Sequence, residues 1–84
     1  MKPIRLSGHA REQLDRRGVT EKEIIEAIST VAWEPAEMGR FQCRKDFPYH
    51  KEWNRKLCKI KQVRPIFVEE DKEIIVVTVY TYFF

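Results

Sequence analysis

Seven basic side chains crowd into residues 43–61 of this 84-residue chain: Arg44, Lys45, Lys51, Arg55, Lys56, Lys59 and Lys61. Phe47, Tyr49, His50 and Trp53 stand among them, against only two acidic residues, Asp46 and Glu52. Cations at that density hold phosphates with release of counterions, and aromatic faces stack on unpaired bases. The segment therefore reads as a nucleic-acid-binding hairpin, with a merely solvated, lysine-rich hairpin as the alternative. Three further features carry chemistry. His9 is of the side-chain type suited to proton transfer near neutrality. Arg17 follows it in the same segment, and the C-terminal run begins as aliphatic Ile74, Ile75, Val76 and Val77 but ends with Thr78, Tyr80 and Tyr82. A strand that starts as core and ends in hydroxyls finishes at a groove.

Composition excludes several other chemistries. Cys43, Cys58, His9 and His50 form no CxxC or HxxxH pair, so the spacing offers no metal site. The two cysteines read as reduced thiols, in keeping with a cytoplasmic protein, rather than as a disulfide. No apolar run reaches the length of a membrane span, and MKPIRLSGHA lacks the apolar segment of a signal peptide, so no membrane partner is expected. Net charge is +3, but its distribution matters more than its size: residues 1–42 balance seven bases against seven acids, and residues 62–84 are acidic. At this length the whole chain, residues 1–84, is one domain with a single core.

The elements that must position these groups follow from periodicity and caps. Ile4, Arg5 and Leu6 alternate as a short edge strand. Ser7 is an N-cap before a helix over Gly8 to Arg17, and Gly18 is its left-handed stop. On that helix Ala10 and Leu14 face the core, while His9, Gln13 and Arg17 share an adjoining stripe at i, i+4, i+8. Thr20 and Glu23 form a capping box for a second helix, whose apolar face reads as Ile24, Ile25, Ile28, Val31 and Ala32. Trp33, Glu34 and Pro35 end it. From Arg40 the period is two: one strand through Phe41 to Asp46, a connecting loop over Pro48 to Asn54, and a return from Leu57 to Val63. Pro65 removes a ladder donor, which predicts a bend, a bulge or an edge there. In the last strand, strict alternation puts Ile75, Val77, Val79 and Thr81 on one face and Ile74, Val76, Thr78, Tyr80 and Tyr82 on the other. The sum is an α+β domain, an N-terminal αα-hairpin packed on one face of a twisted antiparallel sheet of about three to four strands.

Both ends of the chain carry a resemblance. SGHAREQLDRRGVTEKEIIEAI resembles the opening His-Ala-Arg-Glu, Arg-Gly-(Ile/Val), Glu-Glu pattern of a small uncharacterised bacterial family within the RelE/ParE toxin superfamily, and VRPIFVEEDKEIIVVTVYTYFF is similar to that family's last two strands. The family pattern has arginine where this chain has Gln13. The resemblance implies a RelE/ParE-like domain and the toxin side of a toxin-antitoxin pair: an endoribonuclease cleaving messenger RNA, often on the ribosome, with a cognate acidic antitoxin as partner. It equally admits a ParE-like inhibitor of DNA gyrase, or a non-catalytic module of the same fold that binds nucleic acid or protein.

Cleaving RNA without metal or cofactor has the 2′-hydroxyl attack the adjacent phosphorus, which requires a base, cations around the pentavalent phosphorus and an acid for the departing 5′-oxygen. His9 and Arg17 match those roles in type, the resemblance to RelE-type toxins implies the sheet residues Lys61, Arg64, Tyr80 and Tyr82, and the expected site is a cleft between the first helix and the last strand that gathers His9, Arg17, Arg64, Tyr80 and Tyr82. Each has a structural alternative: His9 satisfies the helix end, Arg17 complements the helix dipole, and the tyrosines are core aromatics with wetted hydroxyls.

Overall fold

A computed structural model describes all 84 residues. In order, the elements are β1 (Ile4–Leu6), α1 (Gly8–Arg17), α2 (Glu21–Thr30), β2 (Glu34–Pro35), a short 3-10 turn (Glu37–Gly39), β3 (Phe41–Gln42), β4 (Lys45–Trp53), β5 (Lys56–Glu69) and β6 (Ile74–Phe83). The sheet is larger than three or four strands and it is mixed. Its order is β1-β6-β5-β3-β2, with β4 also on β5, and β1 runs parallel to β6 while every other pair is antiparallel. The parallel pair arises because β1 feeds directly into α1, which continues in the same direction along the edge of β6.

That edge is closed by side chains where β1 stops. The Ser7 N–H donates to the Val76 carbonyl at 2.9 Å, and the Gln13 Oε1 accepts from the Val79 N–H and the Thr78 hydroxyl, each at 2.9 Å. One turn further, the Thr81 hydroxyl donates to the Arg17 carbonyl. Gln13 is 3% exposed and does the work of a missing strand's carbonyl. An arginine at that position has no acceptor to offer.

Both helix starts form as the sequence implies. Ser7 accepts from the Ala10 N–H at 3.1 Å, and Thr20 and Glu23 close their reciprocal box at 3.1 and 3.0 Å, each cap worth about 1 kcal/mol. Gly18 ends α1 at φ 66, and the Trp53 ring lies so close that an added Cβ would sit 2.6 Å from it. The buried face of α2 is Ile24, Ala27 and Ile28, and Ile25, 36% exposed, points outward; the helix ends at Thr30, before Val31 and Ala32. The apolar stripe is thus rotated from the expected one, because Ala27 rather than Ile25 lies between Ile24 and Ile28 on the turn that meets β5.

The β region departs from simple alternation at three places. The hairpin of β4 and β5 is longer than expected: pairing runs to Trp53 with Lys56, and the turn is only Asn54 and Arg55, both at positive φ as in a type I′ turn. Pro48 to Trp53 is strand, interrupted by a bulge between Pro48 and Lys51 with His50 at φ 52. At Pro65 the expected irregularity takes the form of a gap. Gln42 pairs with Ile66 and Lys45 with Val63, so Cys43 and Arg44 keep register opposite Pro65 and Arg64, where the donor-less proline leaves the ladder open. The third departure is a bulge on β6. Ile66 pairs with Thr78 but Phe67 with Val76, which makes Val77 the extra residue. Alternation therefore flips at Val77: Ile74, Val76 and Val79 share the helix-covered face, and Tyr80 and Tyr82 leave it.

On the covered face, Val63, Phe67, Ile74, Val76 and Val79 pack with Leu6, Ala10, Ile24, Ala27 and Ile28. Phe67, fully buried, meets the Trp33 edge at 4.9 Å, and the Trp33 indole donates to the Ile28 carbonyl. Burying a side chain of that size contributes roughly 1.5–3 kcal/mol. No helix is long and apolar enough to cross a membrane.

Candidate functional site

Opposite the helices, the sheet carries three cross-strand rows of mostly polar residues. Register places Gln42, Ile66 and Thr78 in one row, Arg44, Arg64 and Tyr80 in the next, and Asp46, Gln62 and Tyr82 in the third. Successive rows are one pleat repeat apart, roughly 7 Å.

The middle row is the chemical centre. The Arg64 guanidinium lies 5.0 Å from the centre of the Tyr80 ring, and its Nη1 donates to the Tyr82 hydroxyl at 3.1 Å. Arg17 belongs to the other layer, at the end of α1, but because that helix follows the β6 edge its guanidinium reaches around to the same ring, at 5.4 Å. The bulge at Val77 and the path of α1 together make this meeting possible. Neither arginine has a carboxylate within 4.0 Å. The Nε of each is buried without a hydrogen-bond partner, a cost of about 1–3 kcal/mol per group. Cation-to-ring attraction contributes roughly 0.5–2 kcal/mol per contact.

Arg64 and Tyr80 also form one wall of a groove of about 610 Å³. Ile66, Thr78 and Gln42 make its floor, and the opposite wall is the segment running from Pro35 to Arg40, with Glu37, Met38 and Arg40 facing it. This segment folds on itself through the Ala36 N–H to the Arg40 carbonyl at 2.8 Å and the Arg40 N–H to the Glu37 carbonyl at 3.2 Å. Met38, 83% exposed, adopts φ 61 beside Gly39 at φ 72. Arg40 has no carboxylate partner either, so the groove carries two unneutralised arginines against one acid, Glu37.

Of the five residues expected to share a cleft, Arg17, Arg64, Tyr80 and Tyr82 converge. His9 makes no hydrogen bond to them; it is exposed near the start of α1, two turns or roughly 12 Å along the helix from Arg17. The hairpin cations divide. Lys61 leaves the solvent-facing set: it is 7% exposed, and its Nζ donates to Glu23 at 2.9 Å and to the Gly18 carbonyl at 3.0 Å. It is a structural cation because its strand position lies under the turn between the helices. Arg44 pairs with Glu34 at 3.4 Å and Lys45 approaches Glu26 at 3.9 Å. Lys51, Arg55, Lys56 and Lys59 are exposed with no carboxylate within 4.0 Å. The hairpin aromatics are largely committed to packing, Trp53 stacking on Phe83 at 4.2 Å and Tyr49 meeting the same ring at 5.0 Å.

The groove residues Glu37, Met38, Arg40 and Gln42 carry no motif in the sequence. Gly39 marks a turn, but nothing local says that the turn folds over the open end of the sheet. Cys43 and Cys58 are free and buried. Burial, with Glu34 adding to it, pushes the Cys43 thiol up to about 11, which makes it a poor nucleophile at neutral pH. No three of the His, Cys, Asp and Glu side chains converge as metal ligands. Comparisons with family models, with curated proteins and with solved structures find no match for this chain.

Proposed function

We propose that the domain binds single-stranded RNA on the open face of its sheet and cleaves it without a metal, as the RelE/ParE-like toxin member of a toxin-antitoxin pair. The observation that carries this reading is the pair of guanidinium groups, Arg17 and Arg64, held against one tyrosine ring with no carboxylate to neutralise them. A phosphodiester supplies the missing charge and acceptors for the guanidinium Nη groups. The resemblance of the two chain ends to that superfamily supports the same reading, and a short acidic antitoxin is the matching partner for so cationic a face.

In the proposed reaction the 2′-hydroxyl attacks phosphorus and gives up its proton to solvent water, and the 5′-oxygen leaves as it takes up a proton from Tyr82. The products are a 2′,3′-cyclic phosphate and a free 5′-hydroxyl. Arg17 and Arg64 stabilise the added charge on the pentavalent phosphorus. Tyr82, whose oxygen accepts from Arg64, keeps its own proton available for the leaving oxygen. Exposed Lys51, Arg55, Lys56 and Lys59 extend the phosphate track along the hairpin.

One observation favours a second reading, binding without cleavage: His9 lies outside the cluster, which leaves it without an imidazole. Incubation of the purified chain with 5′-labelled single-stranded RNA in EDTA separates the two. Cleavage to 2′,3′-cyclic phosphate ends, reduced at least a hundredfold in Arg64→Ala, supports the first. Retention of RNA by the native chain but not by Arg64→Ala, with no cleavage, selects the second. RNA affinity untouched by Arg17→Ala and Arg64→Ala overturns both.

A further inference from the structure

We infer that the groove beside the arginine pair is a nucleobase site selective for guanine. The inference rests on the proposed binding of a phosphodiester by Arg17 and Arg64 and says which nucleotide follows it. The groove shares Arg64 and Tyr80 with the phosphate cluster, and its floor begins one pleat repeat away, roughly 7 Å. That is the scale on which a nucleotide separates its phosphate from its base. About 610 Å³ accommodates a purine with its ribose.

The lining suits a flat ring with a polar edge. Ile66, 9% exposed, gives an apolar floor, and Met38 on the rim offers a soft, polarisable surface against which a base packs. The polar groups around this apolar middle are unequal in kind. Glu37 is the only acid, it has no cation within 4.0 Å, and as a carboxylate it only accepts. A base that meets it must present donors, and two adjacent ones use it best. Guanine has them in N1–H and the N2 amino group, whereas adenine shows one donor beside an acceptor and uracil a single imino N–H. Arg40, across the same segment and also unpaired, donates only, which matches the acceptors O6 and N7 of guanine. An acid beside two arginines in an RNA-binding groove weakens phosphate binding, so its presence calls for a compensating contact of this kind.

Fluorescence anisotropy of the full chain with labelled pentaribonucleotides tests this directly. The set is five uridines and the same oligomer with guanosine, inosine or adenosine at the centre, all measured at one salt concentration. The guanosine oligomer is expected to bind about tenfold more tightly than the adenosine and uridine ones, the effect of one bidentate base contact, with inosine, which lacks the N2 amino group, in between. In Glu37→Gln the guanosine-to-uridine ratio falls toward one while the affinity for five uridines rises, because a negative charge facing phosphate has gone. A glutamate that does not touch the base would leave the guanosine-to-uridine ratio unchanged, whatever its removal does to overall affinity. Equal affinity for the four oligomers, or a preference that survives Glu37→Gln, overturns the guanine site and leaves the phosphate reading standing. Loss of all dependence on Arg17 and Arg64 overturns the phosphate reading itself.

Discussion

Lys61 and Arg64 lie three residues apart on β5 and face opposite sides of the same sheet. Lys61, under the helix layer, is enclosed by the Glu23 carboxylate and the Gly18 carbonyl. Arg64, on the side the helices leave open, has only a phenol oxygen for one Nη and nothing for its Nε. The fold neutralises a cation where burial would otherwise be costly, and it leaves one without a carboxylate where the sheet meets solvent. The difference lies in what each face touches, since the residues are equally charged and close in sequence. Positive charge in this chain is therefore informative about binding only after the face is known.

The largest effect that tests the contrast concerns the covered face. Ile24→Asp is expected to destabilise the domain by about 3 kcal/mol or more, because Ile24 is fully buried and an unpaired carboxylate there has no partner. Ile25→Asp, one residue on and 36% exposed, is expected to cost about 1 kcal/mol or less. Urea denaturation of the two variants checks the assignment, and equal losses would mean that α2 is seated on a different face.

Next in size is the exchange of roles between the two cations themselves. Lys61→Met strands part of the Glu23 charge and an acceptor at Gly18, at a cost of about 1–2 kcal/mol once the partial exposure of Glu23 is allowed for. RNA affinity of the folded fraction should stay within about twofold. Arg64→Met is expected to do the reverse: stability within about 1 kcal/mol of the native chain, since an unpaired Nε is removed, and RNA affinity reduced at least tenfold. Thermal unfolding and filter binding on both variants give the four numbers. Similar behaviour of the two would erase the distinction between the faces.

The same contrast explains how much was legible in the sequence. The caps of both helices, Gly18, the C-terminal strand and the irregularity at Pro65 were all readable, because each depends on a residue type with a local consequence. The tyrosines and arginines were nominated by type. Their faces were not readable: strict alternation grouped Tyr80 and Tyr82 with Ile74 and Val76, and only the extra residue Val77, a feature of pairing with β5, separates them. A bulge has no reliable signature in one strand, since it reflects register with another. Ile25 was misplaced for a related reason. Four aliphatic side chains within eight positions allow two rotations of the helix, and small Ala27 rather than a large side chain decides between them. The wall from Pro35 to Arg40 depends on where a turn comes to rest, which its own residues do not encode.

The smallest effect repeats the contrast between adjacent residues. Cys43 and Arg44 stand opposite Pro65 and Arg64, the first buried in the core and the second exposed and paired with Glu34. The thiol has an ordinary pKa near 9.0, and burial raises it to about 11 in the folded chain. A folded-state value above the unfolded one means that the neutral thiol is favoured on folding, so its contribution is complete below about pH 9 and is lost as pH rises toward 11. Lysines and tyrosines titrate in the same window, and the comparison with Cys43→Ala isolates the thiol. The native chain should lose stability between pH 8.5 and 10.5 more steeply than the variant, although the variant is less stable at pH 7 for want of the packed sulfur. Denaturant midpoints at three pH values are sufficient. Parallel pH profiles would mean that Cys43 meets water in the folded chain, and with it that the gap opposite Pro65 is open to the helix side as well as to the groove.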